Sequence, residues 1–526
     1  MPASAQAPIE VCLKSGVLIR AARIESREGK FLLYPDGGGP AIEVPEGQVK
    51  GIGISCTSAQ PPVQTSGVQK FGIYGSNTIG ERLMPLLIDA LATKSYGQKS
   101  LQRPRPVPEE MDIEIRQSGA AEPVALIDYQ SKGSGTSAKA LQEKKASIGM
   151  SSRRINNEEA ASIASQYNVD MRTPGNEHVL ALDGLAVILH PDNPIKQLTL
   201  DDIARIFAGE ITNWKDVFYR DASGREITGF DRKISLHSRD NKSGTYDTFV
   251  ALVLAAPGLP KRQLGADAKR YESSENLSDA VSKDPGAIGF IGLPYINKNH
   301  PLSIGSTCGL LSAPSKFTVK TEEYPLARRL YLYTIGTPNE PVARSLLQFA
   351  LSDDAQPTVV EAEFVDQAVE FQDNPGQRQW REALMSNPSL GLTPDKQVAT
   401  NATRQFGGLT QSLRRSTIVF RFEAGKSDLD VRAQQDADRL ARYLQSPAVR
   451  GKQFYIAGFA DSTGGWSNNL QLSSQRAARA VSELQKRGVA IPSQNIVPLS
   501  YLAPVACNDS PAGQAKNRRV EVWIAQ

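Results

Sequence analysis

No stretch of this 526-residue chain approaches the roughly 18 consecutive apolar residues that a bilayer-spanning helix needs, so no membrane span is expected. Cysteine is scarce: Cys12, Cys56, Cys308 and Cys507 stand alone, without the C-x-x-C spacing of zinc or dithiol sites. There are only four histidines, and neither H-E-x-x-H nor G-x-S-x-G occurs. The chain thus offers no metal-ligand set and no nucleophile elbow, and no catalytic residue, cofactor or metal is expected of it. Charge of one sign is lacking too. The 60 Lys and Arg are interspersed with 56 Asp and Glu, for a net charge of +4, and no basic stripe that could neutralise a nucleic-acid backbone emerges.

The length is too great for one core and suggests three or four domains. The start, M-P-A-S-A-Q-A-P, has neither a charged n-region nor an apolar core and reads as the remnant of a processed precursor behind an added Met, from which export is inferred. Cys12 and Cys56 flank a compact β-rich segment and could pair in an exported protein. Cys308 and Cys507 fall in different domains and could equally be buried thiols.

Residues 1–60 form a first unit, in which short β-prone runs (9–13, 17–24, 31–34, 41–44, 49–55) are separated by Ser-Gly, Arg-Glu-Gly and Asp-Gly-Gly-Gly turns. This predicts a small sheet or open barrel, a structural cap or docking module without chemistry of its own. A polar, Pro-containing linker follows over 57–67.

From Val68 the pattern becomes alternating strands and helices. Three strand-to-helix turns share one chemistry: Gly75 to Thr78 before a helix with Leu83, Leu87 and Leu91 on one face, Gly133 to Thr136 before a helix carrying Ala138 and Leu141, and Arg239 to Thr245 before a helix reaching about Leu254. Each aims unpaired backbone N–H groups and hydroxyls beyond a strand end, where open α/β sheets bind ligands. The Ala146–Met150 strand delivers Ser151 and Ser152 to the second turn, and Arg239 could grip two oxygens at once. Between them, T-L-D-D-I-A-R-I-F-A-G predicts a helix with Thr199 as N-cap, Asp202 as its capping partner and Gly209 as stop.

The ordered segments G-S-N-T-I-G, G-S-G-T-S-A-K-A-L with I-G-M-S-S-R, L-T-L-D-D-I-A-R-I-F-A-G-E-I-T-N-W, S-R-D-N-K-S-G-T-Y-D-T-F and D-P-G-A-I-G-F-I resemble the periplasmic phosphate-binding (PstS-like) solute-binding proteins of ABC importers. The resemblance covers about 68–370. It implies an α/β fold of two lobes closing over a dehydrated oxyanion, with an ABC permease as a candidate partner. Carried over residue by residue, it implies that Thr78, the Ile79 amide, Ser134, Arg239, Ser243, Gly244 and Thr245 hold the anion. Ser152 departs from the pattern, standing where phosphate-specific members place an Asp that accepts the proton of hydrogen phosphate. A hydroxyl both donates and accepts, so discrimination against sulfate is expected to weaken unless Asp240, Asn241 or Asp247 supplies the acceptor.

Residues 371–415 read as a linker or strap. From 416 to 526, G-F-A-D-S-T-G, S-N-N-L-Q-L-S-S-Q-R-A-A-R-A and N-R-R-V-E resemble the OmpA-like peptidoglycan-binding domain, an α+β fold, with Phe459 where that family usually has His. The resemblance implies that Asp461 and Arg476, fifteen residues apart, take the ammonium and carboxylate of diaminopimelate, with Asn469 and Arg519 in support.

Together these readings describe a non-enzymatic protein of the Gram-negative periplasm. It binds phosphate or a similar oxyanion and is tethered non-covalently to peptidoglycan. A ligand-free structural or sensor protein of the wall is the alternative reading. A phosphatase is a remoter one, for want of a metal set or an activated nucleophile.

Overall fold

A computed structural model describes residues 9–52, 67–372 and 396–525, apart from 14–17, 28, 36–39, 46–47, 108, 222, 242, 423–428 and 450. Cys56 lies outside these residues, and with it the expected Cys12 pairing. Among the described residues no helix is long and apolar enough to cross a membrane.

The N-terminal unit is one antiparallel sheet in the spatial order Ile42–Pro45, Lys30–Pro35, Leu18–Arg27, Ile9–Leu13, Val49–Ile52. Alternation puts one residue from each of four strands, Val11, Ala21, Leu33 and Val44, into a small core. It is a compact unit in itself.

The next body has two lobes. Apolar positions of Gln69–Gly75, Leu83–Tyr96, Glu110–Arg116, Pro123–Gln130 and Pro341–Ala350 converge on the first core. Those of Leu200–Phe207, Gly244–Phe249 and Ala287–Gly292 build the second, where the rings of Phe249 and Phe290 stack 3.8 Å apart. The expected capping box is present, Thr199 Oγ1 accepting from the Asp202 amide at 3.1 Å, and Gly209 stops that helix at φ +78.

Two strands cross between the lobes. Glu177–Leu189 pairs over its first half with Ala327–Tyr333 and over its second with Ala287–Gly292, and Ala327–Tyr333 in turn pairs with Ile148–Ser151 of the first lobe. All thirteen residues of Glu177–Leu189 are buried, so any relative motion of the lobes must bend a strand fixed on both faces.

The C-terminal domain has the sheet order Phe371–Gln372, Leu413–Arg421, Arg519–Ala525, Phe454–Gly458, Ile496–Pro498, covered by helices Val431–Gln445 and Trp466–Gln485. The reading of 371–415 as linker needs correction. Lys396–Ser412 is helical and Leu413 already belongs to the sheet, because Ala402, Phe406 and Leu409 recur every three to four residues and pack on Phe459, Leu499 and Trp523. Cys308 and Cys507, left open between pairing and isolation, form a disulfide between the second lobe and this domain, with Cα atoms 5.7 Å apart.

Two buried histidines make stability depend on pH. Burial pushes His178, on the crossing strand, down to about 4. Burial also takes His237 to about 4, Lys269 adding to the shift and Asp284 opposing it. Both folded values lie below the ordinary 6.5, so the unfolded chain takes up protons first as the pH falls. Stability is therefore fully present above about 6.5 and is lost down to about 4, on the order of 3 kcal/mol per histidine. Urea unfolding between pH 7.5 and 4 should show this decline, and His178→Gln should flatten it; an unchanged slope in that variant would assign the decline to other groups.

Candidate functional site

The two crossing strands place Asp183 directly opposite Arg328. Arg328 Nε donates to Asp183 Oδ2 at 3.2 Å, and Thr248 Oγ1 donates to the same oxygen at 2.8 Å. Arg328 Nη2 reaches outward to both lobes, donating to Thr78 Oγ1 at 3.0 Å and to the Gly244 carbonyl at 3.2 Å. Burial pushes this guanidinium down while Asp183 and Asp247 oppose the shift, so a charged group stands at the junction of the lobes.

Around it the three expected loops converge. Gly75 sits at φ +144, where a Cβ would lie 2.0 Å from the Met150 carbonyl, so only glycine lets the first loop approach the Ile148–Ser151 strand. The Gly133 amide donates to the Gly75 carbonyl at 2.8 Å, joining second loop to first. Ser134 Oγ lies 3.1 Å from Ser152 Oγ and accepts from the Ser152 amide at 3.0 Å. Ser134, Ser152, Asp247 and Arg328 line a cleft of about 340 Å³, with Ala251, Leu252 and Tyr331 as its apolar wall. Arg153 and Arg154 also face it, the former donating to both carboxylate oxygens of Glu159 and the latter paired with Glu177. Burial pushes the Asp247 carboxyl up, against the pull of Arg328.

The expected residues therefore divide. Ser134 and Ser152 face the cleft, while Thr78 and Gly244 meet each other beside it through Arg328. The Ile79 side chain is core. Ser243 Oγ accepts from the Thr245 amide at 3.2 Å and so caps its own helix. Arg239 is turned away from the cleft lining: it donates to the Tyr271 and Glu272 carbonyls at 3.3 and 2.8 Å and to Ser274 Oγ at 2.6 Å. Sequence reasoning missed Arg328. The available signal was a pair of arginines opening an apolar strand, R-R-L-Y-L-Y, since a buried charge requires partners.

In the C-terminal domain, Asp461 is buried, and its Oδ2 pairs with Arg518 Nη1 at 2.9 Å while Oδ1 accepts from the Thr463 amide at 2.9 Å. Burial pushes the Arg476 guanidinium down, Arg518 adds to this, and Asp461 opposes it, so the three share one electrostatic neighbourhood. Asn469 Nδ2 holds the loop by donating to the Thr463 carbonyl at 3.0 Å. Arg519 does not support this surface: it is fully buried, bonded to Glu521 at 2.7 Å and stacked 3.9 Å over the Phe459 ring. Phe459 also meets Phe406 edge-on, so the departure from the usual His serves packing against the Lys396–Ser412 helix. Arg518, the neighbour that does reach Asp461, went unnoticed.

The PBP superfamily domain matches residues 114–354, and the OmpA family matches residues 421–518. The phosphate-binding protein PstS of Bacillus subtilis is 31% identical over 242 residues, 45% of this chain and 70% of its own length. PstS of Borreliella burgdorferi is 28% identical, over 45% of this chain and 79% of its own length. Among solved structures, an ABC-type phosphate transport receptor from Vibrio cholerae aligns with 56% of this chain and 99% of its own at 21% identity, with a TM-score of 0.41.

The contact of the two lobes at Gly244 predicts opposite signs for two glycine substitutions. A Cβ at Gly244 would lie 2.5 Å from Thr78 Cα, whereas nothing lies within 4 Å of one at Gly135. Gly244→Ala should destabilise by about 1–3 kcal/mol, and Gly135→Ala, inside a helix, should be neutral or stabilise by up to ~1 kcal/mol. Urea denaturation of both variants reads the difference; equal effects would mean that the loops do not touch.

Proposed function

For a chain that belongs to the PstS family of phosphate-binding proteins and carries an OmpA-family domain at its C-terminus, we propose binding of phosphate or a closely related oxyanion in the interlobe cleft, by a protein held to peptidoglycan through its last domain. The observation that carries the reading is Arg328, a cation that bridges both lobes and lines the same cleft as the Ser134 and Ser152 hydroxyls. Ser134 is the first residue of a nine-residue helix, so its hydroxyl and the following amides supply donors at a positive helix end. Asp247, in the same lining, takes the role of acceptor for the proton of hydrogen phosphate that Ser152 fills less well. A fully ionised sulfate would meet that carboxylate as a repulsion.

On the other domain, Asp461 takes the ammonium of diaminopimelate and Arg476 its carboxylate, with Arg518 holding the Asp461 carboxylate in place. The setting that suits both ligands, and a disulfide, is the periplasm of a Gram-negative cell. Delivery of the anion to an ABC permease is compatible with the two-lobed body, and retention of the anion near the wall equally so.

Calorimetric titration with phosphate, sulfate and arsenate tests the reading, with folding of each variant checked by thermal melting. Arg328→Ala should weaken phosphate binding about 30-fold or more, the loss of a charge-assisted contact worth about 2 kcal/mol. Arg239→Ala, whose donors serve neighbouring carbonyls, should change affinity by less than about threefold. The reverse result would return the site to the third loop. Asp461→Ala should abolish sedimentation with peptidoglycan and leave phosphate heats intact; simultaneous loss of both would defeat the two-site reading. No heat with any of the three anions in the unaltered protein would favour a ligand-free wall protein.

A further inference from the structure

The C-terminal domain meets the crossing strands at Val179 and Arg329 and touches both lobes, with unequal strength. Toward the second lobe the attachment is covalent and buried. Cys507 is bonded to Cys308, and Arg432 donates to the Lys320 carbonyl at 2.6 Å while pairing with Glu322 at 2.8 Å. Arg421 donates to the Thr321 carbonyl at 2.6 Å, and Arg415 pairs with Glu323. Toward the first lobe the contacts are fewer, and one is buried: Arg439 Nη1 donates to Gln367 Oε1 at 3.2 Å, and Gln367 is itself bonded to Gln356 and to the Val179 and Leu180 carbonyls. Arg442 forks onto Asp353 with two bonds of 2.9 Å, at side-chain exposures of 31% and 57%. Gln435 Oε1 accepts from the Val179 amide at 3.1 Å, at the irregularity where the crossing strand shifts register between Val179 and Ala181.

We propose a second function for this domain: it is an intramolecular effector of anion affinity, carried rigidly by the second lobe and clasping the first through Arg442, Gln435 and Arg439. The asymmetry decides which contacts yield. A solvated ion pair and two neutral-acceptor hydrogen bonds, those of Gln435 and Arg439, give way before a disulfide and several buried ion pairs do, so parting of the lobes moves the domain with the second lobe and breaks the clasp. The clasp exists only in the closed arrangement and therefore raises the closed fraction. Anion affinity rises with that fraction, because a ligand held by both lobes binds only where they meet. The Arg442–Asp353 pair has no part in either ligand site.

The test uses the full chain with its disulfide intact. Arg442→Ala and Asp353→Ala should each weaken phosphate binding about two- to fivefold, the range open to an exposed pair. The charge swap Arg442→Asp with Asp353→Arg should restore it. Fluorophores at exposed Lys139 on the first lobe and Lys233 on the second report interlobe distance without any anion, and both single variants should lengthen it. Unchanged distance and affinity in the single variants, or a swap that fails to restore either, would overturn the proposal. The distance readout keeps the test independent of whether phosphate is the anion. If the unaltered protein binds no phosphate, the anion assignment fails while the clasp is still judged by the distance alone.

Discussion

The pairing of Asp183 with Arg328 is the interaction on which the body of the protein depends. It joins the two strands that cross between the lobes, at a register position from which the Arg328 side chain reaches both. A buried guanidinium without a carboxylate would cost several kcal/mol. With Asp183 beneath it and Thr248 completing that carboxylate's bonds, Arg328 can present its remaining donors to Thr78 on one lobe and Gly244 on the other. The cleft, the convergence of the three loops and the charge at their centre follow from that placement. The same strand leads from Arg328 to Arg329, which lines the cleft as well and pairs with Glu322 and Asp430, so the anion cleft and the interface with the last domain meet at one residue.

The interface around Glu322 shows how such a junction holds. Burial alone would raise this carboxyl, but Arg329, Arg432 and Arg421, drawn from the crossing strand and the C-terminal domain, hold it well below the ordinary carboxylate range. Removing any one of the arginines would leave charge unbalanced in a dry place, which is the condition under which a buried pair is costly to break. The specificity of domain docking resides in this arrangement of charges, since an apolar surface alone would tolerate many orientations.

Local features were legible in the sequence, and relations across distance were not. The Thr199–Asp202 capping box, the strands of residues 9–52 and the three strand-to-helix turns are each written in a short contiguous run, and the structure has them close to where the residues predict. Ser134 and Ser152 could be joined because a short strand visibly returns one to the other. Arg239 looked like the gripping cation because it precedes the third turn, yet a side chain of that length has several carbonyls in reach, and those of Tyr271 and Glu272 took it. Arg328 escaped notice because its partners lie 145 and 250 residues away along the chain. The Lys396–Ser412 helix hid behind its polar majority, because three apolar residues suffice when another domain supplies the rest of the core.

The Cys308–Cys507 bridge has a mechanical consequence. A protein mounted on the wall by Asp461 would take any pull of the polymer at the loop around that residue, where the Ser462 amide donates to Asn508 one residue beyond Cys507. The bridge offers that force a short covalent route into the second lobe, in parallel with the chain that runs through residues 373–395. Tension would therefore bear first on the lobe that contributes Gly244 and Asp247, and the mounting point and the working part of the molecule would move as one solid piece.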